Sequence, residues 1–386
     1  MQVKVEKQAL VKRLEQAVGV IDRKTTMPIL THCLLKAEGE ALEIYTTDLE
    51  LSYLGTVPAE VTEPGACTVL AQTLHTVGKG FPAPAVDLTL EGSNLLVAAG
   101  EARYKLLTGD PDGFPPSPAL PEAGWRETEA ETLRNLLDKV IFAMSGDDLQ
   151  YHLAAVLMEK EDRDGQTHLR LVATDGHRLA VAEHRMDLDG MPMGEKGILI
   201  HSKAIRELCR FVKNRDKGSH VQFALAGSAP DRPQHLCFRI NGETVIARLL
   251  EARYPDYRRI FPEKWAMTWL FPRQPLMACL QRLAGLTNEK FKPIDFAFQK
   301  QVVELSYAHP DVGTGREVTE VRLEQGKPEL PFRIRFNARY LLEPLAAMQG
   351  EWCGMAINTN ESPVRLWDTE VSPEGRAEWL VMPASF

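Results

Sequence analysis

No apolar run in this chain of 386 residues approaches the roughly 18–20 residues that a helical membrane span needs. The opening stretch, MQVKVEKQALVKRLEQ, is charged throughout and lacks the apolar core of a signal peptide. The expectation is a cytoplasmic protein with no membrane partner. Cysteine is sparse: Cys33, Cys67, Cys209, Cys237, Cys279 and Cys353 are scattered, with no CxxC pair. That argues against a zinc site or a disulfide framework, so the thiols read as small core fillers and neither metal nor cofactor is expected. Positive charge is in deficit, with a formal net charge of −8, which taken alone argues against a nucleic-acid partner. There is no GxSxG, HExxH, P-loop or GxGxxG after a strand. No RNP-like motif, zinc finger or recognition helix stands out either, so any nucleic-acid contact would follow the backbone and ignore base sequence.

What is present is an ordinary soluble composition, 44% hydrophobic and 25% charged, on a chain long enough for two or three domains. A weak internal repeat organises it. Residues 1–54 read as a helix (KQALVKRLEQAVGVI) and strands THCLLKAE and ALEIYTTDLELSYLG. Residues 128–182 repeat this with TEAETLRNLLDKVIFAMS, HLAAVLMEKED and HLRLVATDGHRLAVA. Residues 272–308 do so with PRQPLMACLQRLAGL, PIDFAFQK and QVVELSYAH. Each copy continues through a strand and a second helix: GACTVLAQTLHTVGKGF, GILIHSKAIRELCRFVKN and FRIRFNARYLLEPLAAM. The boundaries fall near 125 and 263, giving domains 1–125, 126–263 and 264–386.

Spacing supports these elements. Leu133, Leu136, Leu137, Val140, Ile141 and Met144 form one apolar stripe, and Thr128 with Glu131 reads as a capping box at its start. Asn241-Gly242 between alternating strands predicts a type I′ hairpin. Two helices and several antiparallel strands per copy make an α+β fold, with the helices on one face of the sheet.

The helical segments are basic inside an acidic chain. From Lys203 to Lys217 there are six basic residues against two acidic, a net +4, with Arg206, Arg210 and Lys213 on one face. From Lys7 to Lys24 there are five against two, a net +3. A solvated face explains either helix alone; recurrence favours a surface facing phosphates. In LVATDGHRLAV, Asp175 and His177 would share a strand face while Arg178 would not, and Gly176 would mark a bulge. That leaves a hydrolase using Asp175 and His177 without a nucleophile. Asp110, Asp112 and Gly113 read as turn chemistry.

The stretches TMPIL (26–30), TDLEL (47–51), VATDGHRLAV (172–181), YPDYRRIFP (254–262), TNEKF (287–291), FNARYLLEPLAAM (336–348) and LVMP (380–383) occur in one order across nearly the whole chain. In them the sequence resembles the bacterial DNA polymerase III beta subunit, the sliding-clamp family. The resemblance implies a DNA-clamp fold of three similar domains, closed by a second copy into a head-to-tail homodimeric ring around duplex DNA. Such a ring is a processivity factor with no catalytic residues of its own. It implies partners that insert a short peptide, glutamine first and with a leucine–phenylalanine-like pair near its end: the polymerase III alpha subunit, the clamp loader, other polymerases and mismatch or repair proteins. The implied groove comprises Leu153, Thr174, Gly176, His177, Arg178, Leu179, Pro255, Arg259, Ile260, Phe291, Asn337, Tyr340, Met382 and Pro383. Core packing is the alternative role for Leu179 and Met382. The implied DNA contacts are Lys24, Tyr151 and His152, beside the basic helix residues Arg206, Arg210 and Lys213. The implied dimer contacts are Tyr104 and Leu106 against Leu286.

The chain departs from the family pattern at several places. It ends Ala384-Ser385-Phe386 where a Met-Arg-Leu-type tail is usual, and carries Glu361 and Pro363 near the groove. Asp147 stands where a DNA-contacting glutamine is common, and Gln72 and Thr73 where basic residues are common. Gly285 replaces a larger interface residue, and Pro344 falls inside the last helix. A divergent clamp paralogue with restricted partners is therefore the alternative within the family.

Overall fold

The computed structural model describes the whole chain except Arg23, Asn214, residues 228–231, residues 287–290 and Phe386, and for Asp148 the backbone alone. Phe386 of the unusual tail, Arg23 of the basic count and most of TNEKF thus lie outside the described residues.

One order of elements occurs three times. The first copy runs β1 (Gln2–Glu6), α1 (Lys7–Val20), β2 (His32–Glu38), β3 (Ala41–Thr47), β4 (Leu51–Glu63), β5 (Gly65–Leu70), α2 (Ala71–Gly80), β6 (Ala85–Glu91), β7 (Asn94–Ala99) and β8 (Ala102–Gly109). The second runs β9 (Arg126–Glu129), α3 (Ala130–Asp138), β10 (Ala155–Arg163), β11 (Gln166–Thr174), β12 (Arg178–Arg185), β13 (Ile198–His201), α4 (Ser202–Lys213), β14 (His220–Ala226), β15 (His235–Ile240) and β16 (Glu243–Arg248). The third runs β17 (Met267–Pro272), α5 (Arg273–Ala284), β18 (Pro293–Phe298), β19 (Val302–His309), β20 (Gly313–Glu320), β21 (Arg322–Gln325), β22 (Phe332–Asn337), α6 (Ala338–Ala347), β23 (Trp352–Ile357), β24 (Val364–Asp368) and β25 (Gly375–Val381). Each copy is strand, helix, three strands, strand, helix, three strands; β21 is an addition in the third. The three-domain α+β reading is the fold observed.

The strands belong to two compact units, and the middle repeat is divided between them. In one unit β1 to β8 pair in a closed circuit, because β1 bonds both β6 and the far end of β4. The near end of β4 then pairs with β16, which continues through β15 and β14 to β9. In the other unit a nine-stranded sheet runs β13-β10-β11-β12-β25-β24-β23-β17-β21, beside a four-stranded sheet β20-β19-β18-β22. The join there is β12 with β25, Arg178 facing Val381 and Leu179 facing Leu380.

Helix α1 buries Leu10, Leu14, Ala17 and Val20, one stripe at helical spacing, and lies along β3, β4 and α2. Helix α4 buries Ile205, Leu208, Phe211 and Val212, and Cys209 is only half-buried. Asn241 and Gly242 have φ of 48° and 75°, as a type I′ turn requires. All six cysteines are free thiols, and burial pushes Cys67 up to about 11 and Cys237 up to about 12, which keeps them protonated and unreactive near neutral pH.

Four local expectations fail. Thr128 is not a helix cap: residues 126–129 pair with Phe223 to His220 as β9, so ladder bonds outweigh the capping box. The helix then ends at Asp138, and Ile141–Ala143 continues only as a 3-10 turn. The two long strands expected around Thr-Asp are each a hairpin, broken at 48–50 and at 175–177. Gly176 marks the turn of the second hairpin and not a bulge, with φ of 86°.

Candidate functional site

The two Thr-Asp turns are the same structure. In the second repeat Thr174 Oγ1 accepts from Gly176 N (3.1 Å) and donates to Arg178 O (2.6 Å). Asp175 Oδ1 accepts from His177 N (3.0 Å) and Arg178 N (3.1 Å). In the first repeat Thr47 Oγ1 accepts from Leu49 N (2.9 Å) and donates to Leu51 O (3.1 Å). There Asp48 Oδ1 accepts from Glu50 N (3.0 Å) and Leu51 N (2.6 Å). Side-chain oxygens thus cap a tight reversal that would otherwise strand its amides. Position three is left-handed in both, Leu49 at φ 78° and Gly176 at φ 86°.

The second-repeat turn carries the predicted groove residues. Asp175 and His177 do not form an acid–base pair. The Asp175 carboxylate is occupied by the turn amides and by Arg178 Nε (3.0 Å), and the His177 ring stacks on Tyr340 at 6.2 Å and 17°. Arg178, whose side chain is only 4% exposed, also reaches Glu343 and the carbonyl of Phe142. Its guanidinium lies over the Tyr340 ring at 4.7 Å and the Phe142 ring at 5.4 Å. Tyr340 is held by α6, whose N-cap is Asn337: the Asn337 side chain accepts from Arg339 N (3.2 Å). Burial and the nearby Asp175 carboxylate raise the Tyr340 hydroxyl above its ordinary value. Beyond β25 the chain lies against both walls. Met382 N donates to His177 O (2.9 Å), Ala384 N to Arg335 O (2.8 Å), and Arg335 Nη1 to Ser385 O (3.4 Å). Pro344 sits in the last turn of α6.

Leu179 belongs to the core, packed with Leu157, Val172, Val181, Leu199, Tyr257 and Leu380, and Leu153 and Thr174 are buried. Ile260, Phe291 and Met382 are exposed apolar side chains, and Pro383 is half-buried. Pro255 and Arg259 are also exposed, the latter paired with Asp256 at 2.7 Å. Their corner is anchored by Tyr257, which donates to buried Glu159 and accepts from Arg170 Nη1 (3.2 Å), and by Arg258 on Glu159 (2.9 Å). The roles of Phe142, Glu343 and Glu159 were not legible in the sequence, although Glu343 lies inside the stretch FNARYLLEPLAAM. Glu361 is exposed in a small Thr359–Ser362 turn, and Pro363 is half-buried.

The basic helices contain fewer outward charges than their count. Glu243, with a fully buried side chain, takes Arg13 at 2.6 Å and Arg215 at 2.5 Å and accepts from Tyr53 Oη at 2.8 Å. Arg210 pairs with Glu207 (2.7 Å) and donates to Gln16 O (3.0 Å), lying so close over Gly19 that a Cβ there would overlap it. Lys24, Arg206 and Lys213 are exposed in the same unit. Tyr151 and His152 belong to the other unit, next to a 3-10 turn that Asp147 caps by accepting from Leu149 N (3.0 Å). Leu149 is 90% exposed there.

Among the described residues, residues 102–107 of β8 pair with β7 on one side only, and Leu107 is 78% exposed beside the predicted Tyr104 and half-buried Leu106. Strand β20 is likewise an edge, and Leu286 and Leu283 lie over its Gly315. Gly285 serves as the C-cap of α5. Among the described residues no cluster of three or more His, Cys, Asp or Glu side chains could hold a metal ion, and no helix is long and apolar enough to cross a membrane.

Family models for the DNA polymerase III beta subunit match in series: the N-terminal domain over residues 1–120, the central domain over 127–256 and the C-terminal domain over 258–384. The beta sliding clamp of Pseudomonas aeruginosa is 30% identical over 386 residues, covering 99% of each chain. That of Escherichia coli K12 is 29% identical over 395 residues, again covering 99% of each. Among solved structures, the Caulobacter crescentus beta sliding clamp is 28% identical and covers 100% of both chains at a TM-score of 0.90. The Pseudomonas aeruginosa DNA polymerase III subunit beta covers 100% of both at 28% identity and a TM-score of 0.86. Matched from end to end by these models and relatives, the chain belongs to the DNA polymerase III beta subunit family, the beta sliding clamps.

Proposed function

We propose that two copies of this chain close head to tail into a ring around duplex DNA and tether a polymerase by topology, in the cytoplasm and without a reaction of their own. The full-length family match carries this reading. Its three domains are 1–125, 126–263 and 264–386. The open edges of β8 and β20 support closure, since pairing them between copies would satisfy both and bury Leu107 with Tyr104 and Leu106 against Leu286. Lys24, Arg206, Lys213, Tyr151 and His152 contact the duplex diffusely, so the ring slides. Arg210 belongs to the same set, its half-buried guanidinium also bonded to Glu207 and the Gln16 carbonyl.

The groove around His177, Tyr340, Ile260, Phe291 and Met382 receives the short peptide of the polymerase III alpha subunit, the clamp loader, other polymerases and repair proteins. Exposed apolar walls with a few fixed polar groups suit such a ligand. The test is loading by a clamp loader onto nicked circular DNA. Retention on circles and loss after linearisation support a topological tether; equal retention on both forms refutes it.

A further inference from the structure

We infer that Arg178, held by Glu343, is not a contact for the partner peptide but a staple that fixes the two walls of the groove, which makes Glu343 a positioning residue. The inference rests on the groove reading above. An arginine offers its five N–H donors in a rigid planar fork. Here Nε goes to Asp175, Nη1 to Glu343 and Nη2 to the Phe142 carbonyl, and the flat face rests on Tyr340. Its three acceptors come from three separate pieces of chain: the β11–β12 turn, the 3-10 turn after α3, and α6. Three of the five donors are thus spent and the side chain is only 4% exposed, so little of this guanidinium is left for a peptide.

Glu343 is suited to the task because it is itself restrained. Its other oxygen accepts from Arg339 Nε (3.0 Å), one turn back on α6. The Tyr340 ring thus meets two neighbours from one turn, the Arg178 guanidinium and the His177 imidazole. Walls fixed before the peptide arrives spare it the entropy of ordering them. Lysine at 178 would keep the charge but lose both the fork and the stack.

The probe is a synthetic nonapeptide with glutamine first and a leucine–phenylalanine pair near its end, titrated by fluorescence anisotropy against the full chain. Glu343→Gln and Arg178→Lys should each weaken binding about tenfold. The double variant should be no weaker than the worse single, because the pair acts as one device. Glu343→Asp should recover part of the loss. Amide exchange at His177 and Arg178 should quicken in Glu343→Gln, while the amides of β11 keep their protection and report an intact fold. Full affinity in Glu343→Gln, additive losses in the double variant, or unchanged exchange at the turn would each overturn the staple. Absence of binding by the unaltered chain would instead sink the groove reading, and the exchange measurement would still decide whether Glu343 fixes the turn.

Discussion

Leu49 and Gly176 hold the same position of the same turn, so glycine and alanine should rank in an unusual order at both. An L-residue in the left-handed region costs roughly 1–2 kcal/mol. Elsewhere alanine is more stabilising than glycine by about 0.5–1 kcal/mol, because glycine leaves the unfolded chain freer. At Leu49 the terms oppose, and the backbone term is the larger. Leu49→Gly should therefore be more stable than Leu49→Ala by roughly 0.5–1 kcal/mol. Leu49 is 47% exposed, and whatever contacts it makes are lost in both variants, so they cancel from the comparison. At the second turn Gly176→Ala should cost a similar amount through backbone strain alone, since nothing lies within 4 Å of the added Cβ. Urea unfolding at one fixed protein concentration, followed through Trp125 fluorescence for the first turn, measures the Leu49 pair. If Leu49→Ala proves as stable as Leu49→Gly, then the equivalence of the two turns is wrong.

Glu243→Ala should cost about 3–5 kcal/mol, because it leaves Arg13 and Arg215 facing a vacated buried site; thermal unfolding of the variant checks this. Burial alone would raise the Glu183 carboxyl, but Arg170, Arg376 and Arg163 hold it below the ordinary carboxylate range. A lowered folded value means stability present above the unfolded value of about 4.3 and lost as pH falls through the folded one. Glu183→Gln should therefore flatten the acid limb of the unfolding curve below about pH 4; an unchanged limb would count against the network. Leu107→Lys should weaken self-association at least tenfold in sedimentation across a concentration series, and an unaffected dimer would place the interface elsewhere. Deleting residues 382–386 should abolish nonapeptide binding while leaving the dimer intact, and retained affinity would remove the tail from the groove.

The threefold plan, both helices of each copy and the Asn241-Gly242 turn were legible because each rests on local periodicity or turn chemistry. The breaks at Thr47 and Thr174 were not. A threonine and an aspartate reverse the chain there by capping its amides, and Leu49 reads as a strand residue until its φ is known. Thr128 shows the opposite failure, a genuine capping signature overruled by a sheet partner nearly a hundred residues away. In the site, the resemblance pointed to Arg178 and Tyr340 but not to Glu343, whose role depends on a carboxylate meeting an arginine 165 residues earlier. Net charge misled for the same reason: Arg13 and Arg215 count as basic helix residues, and only the fold reveals Glu243 between them.

The pairing of β12 with β25 joins residues some 200 positions apart. At synthesis rates of about 5–20 residues per second, β12 would wait roughly 10–40 s for that neighbour. Until then its edge is open to other nascent chains, and His177 O lacks the Met382 amide that it accepts in the folded protein. A prematurely terminated product would thus carry most of the groove's side chains and still present no finished groove.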